Sequence, residues 1–395
     1  MSQTAAFRAD TRAWLVENCP AGARGPGVIP WGSRQVELPK DSRVWLDNMA
    51  AKGWTVPTWP MAYGGAELDS AEYLILLEEL RRINARSPLV GRGVNYIGPT
   101  ILDFGTDEQK ARWLPGMARG DGGWCMGYSE PGAGSDLASL STKAEREGDQ
   151  YIINGRKIWT SDATDGDYIF VLVRTDVKAP KHDGISLILV DMDQPGVQVR
   201  PIQLISGNSP FSETLFENAV AGATDVIGPV NQGWNVGKRL LQYERSTHAG
   251  INISGAQGRV TETPLPEIFS HLLPTEDTTG RILDGDHRSA LLNWQMRQRT
   301  YEMTQRRAIE EAQARAPGFT SSVVKLIGTL LKQERDELHL AALGSDGLGW
   351  EGDEFSKKAL KHTRTWLQQK SLTIAGGTKE VQLNIIAKRV LGLPD

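Results

Sequence analysis

Residues 124–136 read WCMGYSEPGAGSD, and this stretch stands between a helical region and a run of β-type sequence. A second stretch, INGRKIWTSDATDGDYIFVLVRTD, follows at 153–176. The first stretch contains the densest glycine, serine and proline punctuation of the chain, which is typical of a loop that a rigid scaffold holds for binding. We therefore interpret it as the floor of a cofactor site.

The region before this loop, residues 1–122, is predicted to form an α-helical domain. Apolar residues from Tyr73 onward repeat at i, i+3, i+4 and i+7, which is the spacing of one helix face. Asp69 and Glu72 have the pattern of a capping box that begins this helix. The segment 53–65, GWTVPTWPMAYGG, has too much proline and glycine for a helix, so we expect an ordered loop there.

The region from residue 123 to residue 229 is predicted to form a β-domain. Short runs of β-branched and aromatic residues are separated by turn residues, and no helical period intervenes. This pattern favours a small antiparallel barrel or sandwich. The clearest predicted strands are 168–173, 184–190 and 197–202.

The last region, residues 230–395, is predicted to be a helical bundle whose periodicity begins at Gly233. Ser321 and Ser322 are expected to cap one of its amphipathic helices. The segment 261–280 interrupts the pattern and is too irregular to assign. The predicted fold class is therefore multi-domain α+β, with an N-terminal helical domain, a middle antiparallel β-domain and a C-terminal helical domain.

The 395 residues are 39% hydrophobic and 23% charged, with a formal net charge of −4. This composition is typical of a globular protein and gives no basic surface for nucleic acid. The N-terminal sequence lacks the apolar core of a secretory signal, and no uncharged apolar run reaches membrane-spanning length, so we expect a cytoplasmic protein. Cys19 and Cys125 lack the spacing of a disulfide framework or a zinc site and are interpreted as small structural residues.

Five segments of the chain, in order, resemble segments of the acyl-CoA dehydrogenase family of flavoenzymes. The 124–136 loop alone would more often be an ordinary turn between helix and strand, but its ordered companions favour the family. The five are GWTVPTWPMAYGGAELD (53–69), WCMGYSEPGAGSD (124–136), INGRKIWTSDA (153–163), NQGWNVGKRLLQYER (231–245) and AGGTKEVQLNIIAKRVLGLP (375–394).

The resemblance implies an FAD-dependent enzyme that acts on the CH–CH group of an acyl-CoA, as in the β-oxidation of lipids. It implies electron-transfer flavoprotein as the electron acceptor. It also implies a tetramer built as a dimer of dimers, either a homo-oligomer or a heterotetramer with a paralogous subunit.

The residue types of the two quoted stretches are suited to a flavin. Ser129 and Ser135 supply hydroxyls, and the turn at Gly132 and Gly134 lets backbone N–H groups approach an electron-rich ligand edge or a diphosphate. Trp159 supplies a flat apolar wall.

The resemblance implies cofactor positions in three segments. Met126, Tyr128 and Ser129 would line the isoalloxazine ring, and Ser135 would lie near the diphosphate or the acyl-CoA. Trp159 and Ser161 would cover the other side of the ring. The C-terminal turn adds Gly376, Gly377, Thr378 and Glu380. As a bare sequence, AGGT is more often a helix C-cap or a tight turn.

The position of the catalytic base departs from the commonest pattern of the family. Many members carry the carboxylate in a C-terminal Tyr-Glu-Gly-Thr segment, where this chain has Ala375–Thr378, and Gly376 cannot abstract a proton. A minority carry it on the first long helix of the C-terminal domain, in a Glu-Arg-x-x-x-Ala-Gly segment. Residues 244–250 read ERSTHAG, so the resemblance implies Glu244 as the base. A solvent-facing glutamate is the ordinary alternative.

Two neighbours of Glu244 have open roles. The resemblance implies that Arg245 contacts structure or the CoA of the substrate, and a surface or interface salt bridge is equally compatible. His248 lies one turn after Glu244, where it could pair with the carboxylate or contact substrate, although a polar packing role is the commoner one. A metal site is not indicated, because the ExxxH spacing has no companion ligands.

Two further motifs of the family are altered in this chain. Most members have Arg-x-x-Phe-Gly after the base-bearing helix, and its arginine reaches the FAD of a neighbouring subunit. Residues 256–273 contain no such motif, and Arg259 is a candidate replacement. The usual Gln-x-x-Gly-Gly-x-Gly appears as AALGSDGLG at 341–349. Heteromeric pimeloyl-CoA and steroid side-chain acyl-CoA dehydrogenases are similar in these respects, so either other residues hold FAD or a different family member supplies the missing contacts.

Two other functions remain compatible with the sequence. An acyl-CoA oxidase uses the same chemistry and differs in letting oxygen reach the reduced flavin. A non-catalytic partner subunit, which the altered arginine motif motivates, would complete the site of another chain. The acyl group stays open among straight, branched, dicarboxylic and polycyclic chains, because the walls of such a pocket are scattered along the sequence.

Overall fold

A computed structural model describes residues 3–248, 264–276, 278–313 and 320–394. The N-terminal part is helical, and the helix predicted around Tyr73 begins with the expected capping box of Asp69 and Glu72. A π-helical turn, Gly93–Ile97, runs directly into the fourth helix. The helices are α1 (Gln3–Asn18), α2 (Lys40–Ala51), α3 (Ser70–Arg82), α4 (Gly98–Phe104) and α5 (Asp107–Arg119).

The proline- and glycine-rich segment 53–65 is an ordered loop, as predicted. Its only helical part is a short 3-10 turn, Met61–Tyr63. Trp54 and Trp59 are buried, so the loop contributes to the core although it has no regular structure. The Thr55 hydroxyl donates to the Ala118 carbonyl at 2.6 Å and ties the loop to α5.

The middle part forms one mixed sheet. In chain order its strands β1 to β8 are Trp124–Gly127, Lys143–Glu147, Gln150–Ser161, Tyr168–Arg174, Ile185–Asp191, Val197–Ile202, Phe211–Gly222 and Val226–Ile227. The order in the sheet is β6-β7-β3-β2-β4-β5-β8, with β1 paired to β4. Only the β1·β4 and β2·β4 pairs are parallel among the described residues. The three predicted strands correspond to β4, β5 and β6.

The burial of strand β4 on both faces explains why its sequence is a continuous apolar run. Phe170 and Leu172 on one face belong to a hydrophobic cluster with residues of the N-terminal helices. Ile169 and Val171 on the other face belong to a second cluster within the sheet. A strand that is buried on both faces does not alternate apolar and polar residues.

The C-terminal part is helical from Gly233, as predicted. It contains α6 (Gly233–His248), α7 (Leu265–Leu272), α8 (Gly285–Gln313), α9 (Thr320–Leu343), α10 (Lys357–Gln369) and α11 (Lys379–Ile385). The capping role predicted for Ser321 and Ser322 is wrong, because α9 already includes both residues and Ser322 is buried inside it. Helix α7 falls in the segment that the sequence left unassigned.

The chain divides into two compact units. The first contains the chain up to Ile202 together with Pro210–Thr247, and the second contains Gln203–Ser209 and the C-terminal helices. Helix α6 therefore belongs, through Thr247, to the same unit as the sheet. No described helix is both long enough and apolar enough to cross a membrane.

Glu79 on α3 is a buried carboxylate that three arginines surround. Arg12 donates to both of its oxygens at 2.9 and 2.8 Å, and Arg82 donates at 2.7 Å. The hydrogen bonds from Arg12, with those from Arg82 and Arg8, outweigh burial and lower the pKa of Glu79 to about 2. Because the folded-state pKa lies below the ordinary value of 4.5, this stabilisation is complete above that pH and is lost as the pH falls toward 2.

We expect Glu79→Gln to lower the free energy of unfolding by on the order of 2 kcal/mol at neutral pH, the usual size for hydrogen bonds to a charged group. The difference between variant and wild type should shrink as the pH falls, because the wild-type carboxyl becomes protonated. Urea unfolding at a series of pH values measures this. A difference that stays constant down to the acid limit would contradict the assignment of charge to Glu79.

Candidate active site

The loop 128–136 is held from inside by a buried ion pair. Lys157 on β3 has a fully buried side chain, and its Nζ lies 2.8 Å from Oε1 of Glu130. The same Nζ donates to the Tyr128 carbonyl at 3.2 Å. The second carboxylate oxygen accepts from the backbone N and the Oγ of Ser141, both at 2.7 Å. The pair thus has the additional hydrogen bonds that two buried charges require.

The two charges of this pair respond differently to burial. Burial acts to raise the pKa of Glu130, but Lys157 and the hydrogen bonds from Thr142 and Ser141 outweigh it and lower that pKa to about 2. Burial lowers the pKa of Lys157 to about 8, against the opposing charge of Glu130. Both groups are therefore charged at neutral pH, and the loop is fixed by a charged contact.

The outer side of the same loop is open. A Cβ built on Gly132 or Gly134 meets no atom within 4 Å, and Ser135 is exposed. Glu130 and Ala133 exchange two backbone hydrogen bonds of 3.0 Å, which close the turn. A ligand can therefore approach the backbone from outside, as the interpretation of this loop as a cofactor floor requires.

Strand β3 contains an irregularity that turns an indole outward. Its register with β7 shifts between Lys157 and Thr160. Trp159 lies in this shift with φ of 63°, a left-handed conformation that costs a non-glycine residue about 1–2 kcal/mol. Its side chain is 53% exposed and stands edge-on to Phe211. A strained backbone that exposes a large aromatic side chain is typical of a ligand site.

We expect Trp159→Gly to be more stable to urea than Trp159→Ala by about 1 kcal/mol, because only glycine tolerates the positive φ at no steric cost. Both variants lose the indole and its contact with Phe211, so the alanine variant is the matched control. FAD affinity, measured by ultrafiltration, should fall equally in the two. Unchanged FAD affinity in both would contradict a cofactor role for Trp159.

Helix α6 is anchored at two places in the first unit. A Cβ on Gly233 would lie 2.5 Å from the backbone of Ser186 on β5, so the start of the helix packs directly on that strand. Further along, the Tyr243 hydroxyl and the Arg239 Nε both donate to Oδ2 of Asp103, at 2.7 and 2.8 Å. These contacts fix the part of the helix that carries the predicted base.

Glu244 is buried, with 7% of its surface exposed, and is therefore not the solvent-facing glutamate of the ordinary alternative. Its charge acts on the hydroxyls of Tyr96 and Tyr128, and it opposes the fall in the pKa of Arg245 that burial causes. Arg245 is half-buried. The side chain of His248 lies outside the described residues.

The C-terminal turn lies in the second unit. Gly376 and Gly377 have φ of 66° and 98°, which explains why glycine occupies both positions. Thr378 caps α11 with its side chain, and the helix begins at Lys379 as predicted. The backbone N–H of Glu380 and the side chain of Thr378 lower the pKa of Glu380.

The described residues of the first unit fit a flavin. The open glycine backbone and the outward indole belong to neighbouring segments, because the Ser129 carbonyl accepts from the Ile158 N–H at 2.9 Å. Met126 and Ser161 are half-buried in the same two segments. Arg259 and the first part of the 256–273 segment lie outside the described residues.

Sequence reasoning missed two residues of this site. Lys157 lies in the family segment INGRKIWTSDA, two positions before Trp159 and among strand residues. That position was the available signal. Tyr96 had no signal, because the effect of the Glu244 charge on its hydroxyl depends on the packing of two segments that are far apart in sequence.

A cavity of about 530 Å³ lies elsewhere in the first unit, along the 31–38 segment. None of the predicted site residues lines it. Its arginines are already paired within the protein, Arg34 with Asp167 and Arg43 with Asp47. Across the described part of the chain, no three His, Cys, Asp or Glu side chains are grouped as a metal site requires.

Three family models match the chain in succession. The acyl-CoA dehydrogenase N-terminal domain matches residues 3–121, the middle domain matches 125–219, and the C-terminal domain matches 231–391.

Several known proteins are similar to this chain over nearly its whole length. The acyl-CoA dehydrogenase IpdE1 of Mycobacterium tuberculosis is 36% identical over 400 residues, which cover 100% of this chain and 99% of that protein. A solved structure named the Tcur3481-Tcur3483 steroid ACAD has a TM-score of 0.75 and 28% identity, and covers 100% of this chain and 98% of that chain. The ChsE4-ChsE5 complex from Mycobacterium tuberculosis has a TM-score of 0.72 and 27% identity, with coverage of 100% and 98%.

Proposed function

The chain belongs to the acyl-CoA dehydrogenase family, and from this premise we propose that Glu244 is the base of its reaction. Members of the family are FAD-dependent flavoproteins that dehydrogenate acyl-CoA thioesters at the CH–CH group. The observation that carries the proposal is the burial of Glu244, with 7% of its surface exposed, on the helix that packs against the sheet. Gly376, at the commoner position of the base, has no side chain to offer.

The chemistry requires a carboxylate of this kind. The α-hydrogen of an acyl-CoA is weakly acidic, so a base must be held against it in a site that excludes water. FAD, when bound, supplies the acceptor for the β-hydrogen as hydride. Glu244 accepts the α-proton at its carboxylate. The anchored helix α6 holds that carboxylate in place for the proton transfer.

The proposed cofactor contacts divide between backbone and side chains. The Gly132–Gly134 backbone and Ser135 supply donors for the diphosphate or the CoA, and Trp159 supplies an apolar face. Their support is the open outer side of the loop and the exposure of the indole. The full proposed set is Met126, Tyr128, Ser129, Ser135, Trp159, Ser161, Gly376, Gly377, Thr378 and Glu380, with Ser135 and Arg245 also toward the acyl-CoA.

The named relatives support two further parts of the proposal. One solved relative is named a steroid acyl-CoA dehydrogenase, which supports a steroid-derived acyl group as the substrate. The two solved relatives are named as pairs of components, which supports a heteromeric assembly in which a partner subunit completes the FAD site. We further propose electron-transfer flavoprotein as the electron acceptor, and a cytoplasmic location.

Purification followed by anaerobic addition of acyl-CoA tests the function. The expected result is a yellow protein whose oxidised-flavin absorbance disappears when a reactive acyl-CoA is added. Straight, branched, dicarboxylic and steroid-derived thioesters form the panel. A colourless protein that gains no flavin on reconstitution would contradict the function for the isolated chain. Recovery of flavin on co-purification with a paralogous subunit would then support the heteromeric form.

A further inference from the structure

The surroundings of Glu244 contain polar groups that an alkyl chain does not need. Tyr96 and Tyr128 are 7% and 3% exposed, and the charge of Glu244 acts on both hydroxyls. An acyl pocket for plain hydrocarbon would be lined by apolar side chains at these positions.

One of these hydroxyls has no hydrogen-bond partner among the described residues. It is the Tyr128 hydroxyl, which is inaccessible to solvent. A buried polar group without a partner costs about 1–3 kcal/mol. Groups of this kind persist where a bound molecule completes their hydrogen bonds.

The Tyr128 hydroxyl points toward the base-bearing helix. It lies 3.6 Å from the position of a Cβ built on Gly237, which is two turns before Glu244 on α6. Gly237, Leu240 and Glu244 follow the i, i+3, i+7 spacing of one helix face. Tyr128 therefore reaches the face of α6 that presents the carboxylate.

The π-helical turn Gly93–Ile97 carries Tyr96, whose hydroxyl is within the electrostatic influence of the same carboxylate. Such turns are rare and are frequent at functional sites. Arg92, about one turn before Tyr96, has its Nη1 2.8 Å from Oδ2 of Asp162, next to Ser161. The charge of Arg92 acts on Tyr96 in turn, so polar groups continue from Glu244 to this ion pair.

Both hydroxyls stay protonated and available as donors. Burial raises the pKa of Tyr96 above its ordinary value, and the charge of Glu244 raises it further. The same two causes, in the same order, raise the pKa of Tyr128. A protonated phenol can donate to a carbonyl oxygen and can both donate to and accept from a hydroxyl.

We propose that the acyl group delivered to Glu244 carries a carbonyl or hydroxyl oxygen beyond its β-carbon, and that the hydroxyls of Tyr128 and Tyr96 bind this oxygen. The inference rests on the proposed role of Glu244, because it takes that carboxylate as the group that reacts with the acyl chain. A plain alkyl chain in this place would leave the Tyr128 hydroxyl unpaired, so such a chain should bind less tightly.

The test compares matched CoA thioesters with and without the oxygen. The probes are heptanoyl-CoA and its 4-, 5- and 6-oxo and hydroxy derivatives, assayed on the flavin-loaded protein with an artificial electron acceptor. Wild type should favour at least one oxygenated probe over heptanoyl-CoA by about tenfold or more in kcat/KM. Tyr128→Phe should lower the preference for that probe over heptanoyl-CoA by about tenfold in kcat/KM. Tyr96→Phe should lower the same preference for the oxygenated probe over heptanoyl-CoA.

Tyr151→Phe is the control, because Tyr151 is buried in the second cluster of the sheet and not beside Glu244. Calorimetric binding of the same probes to Glu244→Gln provides a readout that does not depend on turnover. A wild type that prefers or equally accepts heptanoyl-CoA in every pair overturns the inference. An unchanged preference between the two probe types in Tyr128→Phe, measured on protein with the flavin content of wild type, also overturns it. Retained turnover in Glu244→Gln would instead contradict the role of Glu244 while leaving the measured preference in place.

Discussion

Glu244→Gln should lower kcat by about 10²–10⁴-fold or more, the usual contribution of a positioned general base. The amide has nearly the same size as the carboxylate but cannot accept the α-proton at neutral pH. The measurement is the rate at which a reactive acyl-CoA removes the oxidised-flavin absorbance in single-turnover experiments. The flavin content of the purified variant should equal that of wild type, because no proposed cofactor contact is changed.

Glu217→Gln is the control for this experiment, since Glu217 is an exposed carboxylate on β7. Its rates should match those of wild type. A Glu244→Gln variant that reduces its flavin at the wild-type rate would refute the assignment. Loss of flavin from that variant would also count against it, because it would give Glu244 a structural role instead.

Lys157→Met should lower the free energy of unfolding by about 3–5 kcal/mol, the usual cost of leaving one charge of a buried pair without its partner. Glu130 would keep its hydrogen bonds from Ser141 and Thr142 but would lose the cation 2.8 Å from Oε1. The loop should then become looser, and FAD affinity should fall with stability. Urea unfolding followed by tryptophan fluorescence measures the first quantity, and ultrafiltration measures the second.

Lys181→Met is the matched control. Lys181 pairs with Asp136 of the loop at 2.6 Å, but both side chains are largely exposed, so its loss should cost less than about 1 kcal/mol. The double variant Glu130→Gln with Lys157→Met should be less destabilised than the sum of the two single variants. Additive losses would show that the buried pair does not act as a unit.

The parts of the fold that sequence could predict are the ones encoded locally. The capping box at Asp69 and the continuous apolar run of β4 each lie within a dozen or so residues, which is the range that periodicity arguments cover. The start of α6 at Gly233 belongs to the same class. The order of the three regions also follows from this local patterning, and the family resemblance agrees with it.

The parts that sequence could not predict depend on contacts between distant segments. Lys157 is charged and stands in a polar stretch of β3, yet it is fully buried because Glu130 lies opposite it in the folded loop. The capping error at Ser321 and Ser322 arose because a serine inside a helix and a serine before it look the same in sequence. The two tyrosine hydroxyls on which the charge of Glu244 acts come from the π-helical turn and from the 124–136 loop, and no spacing in the sequence connects them.

The membership of α6 in the first compact unit bears on how chimaeric enzymes should be constructed from this chain. Gly233 packs on β5, and Asp103 receives both Arg239 and Tyr243. A crossover placed before α6 would pack a foreign helix on a strand and an aspartate that match a different helix. A crossover after Thr247 exchanges the remaining C-terminal helices, while Glu244, the proposed base, stays with its own scaffold.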